Sequence, residues 1–238
     1  EGITGISHIF EHMAFKGTRT VGTTDLEAEL KAMAKEDETF LAWRDEYAKG
    51  ALADADKLKK LDEEHKAAVT AAKTYVVTNE LGQAIEMAGG TGMNAGTSYD
   101  QTVYFYNLPS NKVELWMSLE SDRFLNPVLR EFYTEKQVIM EERRLGVESQ
   151  PVGKLVEEFL AAAYKSHPYA EPVIGHMSDI RTISRQDAID YFKTHYTPEN
   201  LVLAVVGDVK APEVIRLAET YWGRLPKGPE RRPLFTEE

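Results

Sequence analysis

The sequence predicts an α+β fold, a mixed and mainly antiparallel sheet flanked by helices, on three observations. Most of the chain repeats its apolar residues at spacings of three and four, the period of helices packed on a core. After the glycines at 89, 90, 92 and 96 comes QTVYFYNL (101–108), whose β-branched and aromatic residues read as the second of two paired strands. Farther on, LVLAVV (201–206) is apolar at every position, the pattern of a strand buried on both faces.

The chain has 238 residues, 42% of them hydrophobic and 28% charged, ordinary proportions for a globular domain. Its net charge of −11 argues against a nucleic-acid or anionic-membrane binder. The absence of cysteine excludes disulfides, thiolate zinc fingers and a cysteine nucleophile. No run approaches the roughly 18 apolar residues a membrane span needs. The opening EGITGISHIFEHM has no initiator Met, basic n-region or apolar signal core, so the chain reads as cut from something longer. The residues do not distinguish a periplasmic or secreted location from the cytoplasm.

The elements follow in order. Ile6, Ile9, Phe10, Met13 and Phe15 form the apolar stripe of a first helix that stops near Gly17. Thr24 or Asp25 caps a second helix through Leu26, Leu30 and Met33. From Lys35 to Tyr75 the composition shifts, with 18 of 41 residues charged. Leu58, Leu61, His65, Ala68, Ala72 and Tyr75 keep helical spacing there, which predicts an inserted helical hairpin with a solvated face. Two strands turn near Thr97–Asp100, and a helix resumes over Asn111–Phe124. Thr134 is the expected cap of a helix reaching Leu145, and Gln150–Pro151 leads into another through Leu155 and Phe159. Ser184 caps a helix over Gln186–His195, and the last helix spans about Pro212–Tyr221. The prolines at 226, 229 and 233 among charges read as a linker, residues 226–238.

The chemistry concentrates near the start. His8 and His12 are four apart on a helix, so both imidazoles can face one ion, and Glu11 lies beside them. A catalytic zinc needs a third protein ligand and an open position for water, and a neighbouring carboxylate can take that water's proton. At this composition HxxEH arises by accident in roughly one chain in sixty, so the motif needs support from elsewhere. The helix after Thr134 offers it. Glu135 and Glu142 are two turns apart on one face, Glu142 within reach of an ion and Glu135 one layer behind. Glu141 competes from a face about 100° away, and an ordinary acidic surface is the plainer alternative. The glycines at 89–96 lack the Lys and Ser/Thr of a phosphate loop. His65 and His195 fall on helical stripes, His176 has no second ligand at useful spacing, and His167 opens a loop just before Pro168.

The runs GISHIFEHMAFKGT, GMNAGTSYDQTVYF, EKQVIMEERR, SHPYAEPVIG and PENLVLAVVGDV together resemble the inverzincin peptidases of the pitrilysin, insulinase and mitochondrial-processing-peptidase family, for which HxxEH is the signature. The resemblance implies a metallopeptidase N-terminal domain over residues 1–225, interrupted by a helical insertion at about 35–80. It implies one zinc per chain held by His8, His12 and Glu142, with Glu135 in support. It implies hydrolysis of extended peptides or unfolded polypeptides by zinc-activated water, Glu11 acting as general base. The substrate would lie as an added strand along Asn94, Ala95 and Gly96, Asn94 donating its side-chain amide; a turn residue among glycines is the alternative for Asn94.

Three departures accompany the resemblance. The interval from His12 to Glu142 is long, the family's first strand upstream of the motif is missing, and the homologous second domain or subunit that completes the chamber is not among these residues. Two other classes remain open at this point: a metal-binding but non-catalytic scaffold subunit, and an interaction module working through the charged hairpin.

Overall fold

The computed structural model describes residues 2–229. The described residues contain ten α-helices and one two-stranded sheet, joined by loops and short 3-10 turns. Helix α1 (Ile6–Met13) buries Ile6, Ile9, Phe10 and Met13 and leaves His8, Glu11 and His12 half-buried on its other side. Helices α2 (Leu26–Tyr47) and α3 (Ala55–Lys73) pack on each other, their starts capped by Asp25 and Asp54, whose carboxylates accept from Ala28 N and Lys57 N. The hairpin therefore begins at Leu26 rather than at Lys35: α2 runs unbroken across the change in composition, because its acidic residues Glu29 and Glu36 are buried against arginines instead of facing water.

Helix α4 (Glu80–Met87) lay hidden in the sequence, since eight residues with two apolar anchors, Leu81 and Ile85, hold too short a period to stand out. Strands β1 (Thr91–Thr97) and β2 (Thr102–Asn107) pair antiparallel, Asn94 opposite Phe105 and Gly96 opposite Val103, across a turn at Ser98–Gln101. Alternation puts Ala95, Thr97, Tyr104 and Tyr106 toward the helices and Asn94, Gly96, Val103 and Phe105 toward solvent.

Helix α5 (Val113–Leu125) leads to α6 (Phe132–Arg143), which ends in a wide π turn at Arg144–Glu148. Thr134 is not its cap. The helix starts two residues earlier, entered through Glu131 in a left-handed conformation with φ 57, because Phe132 and Tyr133 are drawn into the core. After α7 (Pro151–Ala163) comes the six-residue α8 (Met177–Thr182), whose single buried residue, Ile180, gave no periodicity to read. Ser184 and Asp187 form a capping box at the start of α9 (Arg185–His195), and α10 (Ala211–Trp222) closes the order.

One core joins α1, α6, α8 and α9 around Ile9, Phe10, Phe132, Ile139, Ile180 and Ala188; a second gathers Met117, Phe124 and Trp222. Leu201–Val206 is not the strand its composition predicts. Leu201 and Val205 pack on the second core, but Val202 and Val206 are 93% and 97% exposed. A strand is defined by a neighbour that takes its main-chain hydrogen bonds, and β1 and β2 pair only with each other among the described residues. Of the expected linker 226–238, residues 230–238 lie outside the described residues; Gly228 N donates to Glu199 (3.4 Å), which holds the chain against the body at that point. No helix among the described residues is long and apolar enough to cross a membrane.

Candidate metal centre

The first turn of α1 is anchored before the motif begins. Thr4 donates from its main-chain N (3.0 Å) and its hydroxyl (2.7 Å) to Asp179, and Ser7 Oγ meets Tyr191 OH at 2.5 Å. One helical turn then separates His8 from His12, whose rings stand edge to face with centroids 4.9 Å apart. Packing of α1 on α6 brings up the third group: the Nε2 atoms of His8 and His12 each lie 3.8 Å from the same oxygen of Glu142, Oε2. Among the described residues these three are the one trio of such side chains with donor atoms close enough to share an ion, all within 4.8 Å of one another.

The donors fit zinc. Two imidazole nitrogens and one carboxylate oxygen at bond lengths near 2.0–2.2 Å span edges of about 3.4 Å in a tetrahedron, so the two 3.8 Å separations need a few tenths of an ångström of contraction and the edge between the imidazoles, within 4.8 Å, closes by a side-chain adjustment of about an ångström at most. Glu142 is half-exposed, whereas the two histidines are largely covered. Glu141 points elsewhere, paired with Arg144 at 2.9 Å.

Around the trio the polar groups are ordered in layers. Glu135 meets His12 Nδ1 through Oε2 at 3.2 Å, leaving His12 Nε2 for the shared point. That hydrogen bond, against burial, raises the pKa of His12 above the usual histidine value. Burial lowers His8, although Glu142 pulls the other way. Burial by itself would raise Glu135, but its bonds to His12 and Lys16 outweigh it and hold the carboxyl below its ordinary value. Glu11 accepts a hydrogen bond from the Thr97 hydroxyl at 2.5 Å, and Thr97 in turn lies 3.1 Å from the Thr102 hydroxyl.

The structure thus gathers His8, Glu11, His12, Glu135 and Glu142 in one place. Asn94, Ala95 and Gly96 sit on β1, one residue short of the Thr97 that touches Glu11, and Asn94 Oδ1 accepts from Ala95 N at 2.9 Å. Neither Lys16 nor Thr97 stood out in the sequence. Strand alternation was the available signal for Thr97, since it must face opposite to Asn94 and Gly96 and hence toward α1. The remaining histidines lie apart from the centre: His176 pairs with Glu171 (2.7 Å), His65 with Thr39 (3.1 Å), His195 stacks on Tyr191, and His167 Nδ1 accepts from Tyr169 N (3.3 Å).

Comparison with known proteins adds to this geometry. The sequence pattern described as Insulinase (Peptidase family M16) matches residues 1–47 and 64–176, passing over the tip of the α2–α3 hairpin. The pattern described as Peptidase M16 inactive domain matches residues 182–238. The zinc protease PqqE of Helicobacter pylori is 33% identical over 148 residues, covering 61% of this chain and 33% of that protein. The human mitochondrial-processing peptidase subunit beta is 26% identical over 221 residues, covering 92% of this chain and 34% of that one. The chain therefore spans about a third of the length of the curated relatives it matches. Among solved structures, a protease from Helicobacter pylori superposes with a TM-score of 0.69 at 25% identity, covering 99% of this chain and 44% of that one. The periplasmic protease PqqL from Escherichia coli, at 0.64 and 21%, shares the fold.

Proposed function

The chain belongs to the insulinase family, peptidase family M16, and from that premise we propose that it carries the metal centre of a zinc-dependent endopeptidase acting on extended peptides or unfolded polypeptides. The observation that carries the proposal is the convergence of His8, His12 and Glu142 on one point with Glu11 on the same turn of helix as His12.

In this reading His8, His12 and Glu142 hold one zinc ion. When bound, it supplies Lewis acidity, polarising the scissile carbonyl and lowering the pKa of water. The protein's own residues do the rest. Glu11 accepts the proton of the attacking water and returns it to the leaving amine nitrogen, while the Thr97 hydroxyl fixes the carboxylate's orientation. Glu135 sets which nitrogen of His12 is free. Among the described residues β1 pairs with β2 alone, so a peptide laid along Asn94–Gly96 adds a strand to its other edge, with Asn94 contributing its amide. Main-chain pairing of this kind reads any extended segment, which suits cleavage away from chain ends. A homologous second domain or subunit is the expected far wall of the substrate chamber.

The test is zinc stoichiometry by elemental analysis of the full-length protein beside His12→Ala and Glu142→Gln, together with peptide hydrolysis by Glu11→Gln. One zinc in the wild type, lost or greatly weakened in both ligand variants, and hydrolysis abolished in Glu11→Gln with zinc retained, is the expected pattern. Hydrolysis unchanged in Glu11→Gln sinks the mechanism. Zinc retained with no cleavage by the wild type would favour a non-catalytic, metal-binding scaffold.

A further inference from the structure

Lys16 lies just beyond the last turn of α1 and reaches the opening turn of α6. Its Nζ donates to Glu135 Oε1 at 2.5 Å and to Glu131 Oε2 at 3.1 Å. The other oxygen of Glu135 is the one that meets His12 Nδ1. One carboxylate is thus held at both oxygens, by a lysine on one side and a histidine on the other, and its plane has no freedom to turn. Both anchors of the lysine are fixed as well. Its main-chain oxygen accepts from Arg130 Nη1 (2.5 Å), the residue before Glu131, and Glu131 has Lys73 of α3 within 3.9 Å of its second oxygen.

We infer that Lys16 is a positioning residue of the metal centre: by holding Glu135 it keeps His12 Nδ1 bonded and His12 Nε2 aimed at the point shared with His8 and Glu142. The inference rests on the zinc reading above. The lysine is not what packs α1 on α6, for Ile9, Phe10, Met13, Phe132 and Ile139 do that from the core. Its removal leaves the helices in place and lets the Glu135 side chain rotate, so the loss falls on metal affinity. An ordinary ion pair near the surface would contribute little and act on nothing beyond itself.

A competition titration with a chelator of known zinc affinity decides the matter on the full-length wild type, Lys16→Met, Lys16→Arg, Glu135→Gln and the double variant Lys16→Met/Glu135→Gln, alongside thermal melting of each metal-free protein. Lys16→Met is expected to bind zinc about 10- to 100-fold more weakly, the range seen when a group orienting a metal ligand is removed, with melting close to wild type. Lys16→Arg recovers most of the affinity, and the double variant binds no more weakly than Glu135→Gln alone. Wild-type affinity in Lys16→Met, or losses that multiply in the double variant, would overturn the inference while leaving the metal site standing. A wild type that takes up no zinc overturns both. Should Lys16→Met fail to fold, Lys16→Gln carries the same comparison.

Discussion

Gly5 and Gly175 meet backbone to backbone with no room for a side chain on either. A Cβ on Gly5 would lie 2.3 Å from the Ile174 carbonyl oxygen, and one on Gly175 would lie 2.4 Å from that of Thr4; their φ angles are +81 and +86. The contact presses the start of α1, just ahead of His8, the first of the proposed metal ligands, against the loop before α8. Gly175→Ala is expected to cost about 1–3 kcal/mol of stability in denaturant unfolding and to weaken zinc binding, because the strain falls on the turn that aims His8. Unchanged unfolding and unchanged zinc affinity would show that the contact does not position the helix.

The Thr97 hydroxyl touches the proposed base, Glu11, and bonds to none of the proposed metal ligands. Thr97→Val should lower kcat for peptide hydrolysis about tenfold, a fraction of the 10²–10⁴ that a positioned base contributes, while zinc affinity stays as in wild type. Thr97→Ser, which keeps the hydroxyl, should stay near wild type. Equal kcat in all three would detach Thr97 from Glu11.

Arg130 is fully buried. Its guanidinium pairs with the equally buried Glu29 (2.9 Å) and donates to the carbonyl oxygens of Lys16, Thr18 and Val21, tying the loop after α1 to α2 and to the start of α6. Arg130→Met strands Glu29 without a partner and should cost about 3–5 kcal/mol in unfolding free energy. Glu29→Leu with Arg130→Met should restore part of that but not all, since the three carbonyls still lack donors. A double variant worse than the single would mean that the buried charge on Glu29 is not what drives the loss.

His65 packs on Phe40 and edge-on to Tyr133, and burial, aided by nearby Lys136 and Arg185, lowers its pKa to about 4. The unfolded chain, near 6.5, then binds the extra proton first, so stability is lost as pH falls from about 6.5 toward 4. Glu36, raised to about 7 by burial, works in the opposite direction over part of the same range. Comparison with His65→Gln isolates the histidine: the wild type should lose more stability than the variant between pH 6.5 and 4, measured by urea unfolding. Parallel curves would place His65 in solvent.

Much of the centre was legible because its signals are local. His8, Glu11 and His12 occupy one turn of helix, and Glu135 and Glu142 one face of another, so helical spacing alone puts each set together. What could not be read from spacing is tertiary. Lys16 acts on Glu135 across 119 residues, and Thr97 on Glu11 across 86. Helices α4 and α8 were invisible because they carry too few apolar anchors to show a period, whereas α1, as short as α4, shows one through Ile6, Ile9, Phe10 and Met13. Leu201–Val206 failed for the opposite reason: its composition is that of a buried strand, but strand formation depends on a neighbour that no single segment encodes.

That same segment bears on how this chain is expected to behave in concentrated solution. A run with bare valines at 202 and 206, in no sheet among the described residues, offers apolar surface to other chains, a second molecule of its own kind included. The net charge of −11 keeps molecules apart at low ionic strength, and salt removes that protection. Self-association that grows with protein concentration and with added salt, and that Val206→Lys suppresses, is the expected colloidal consequence of leaving these two valines bare.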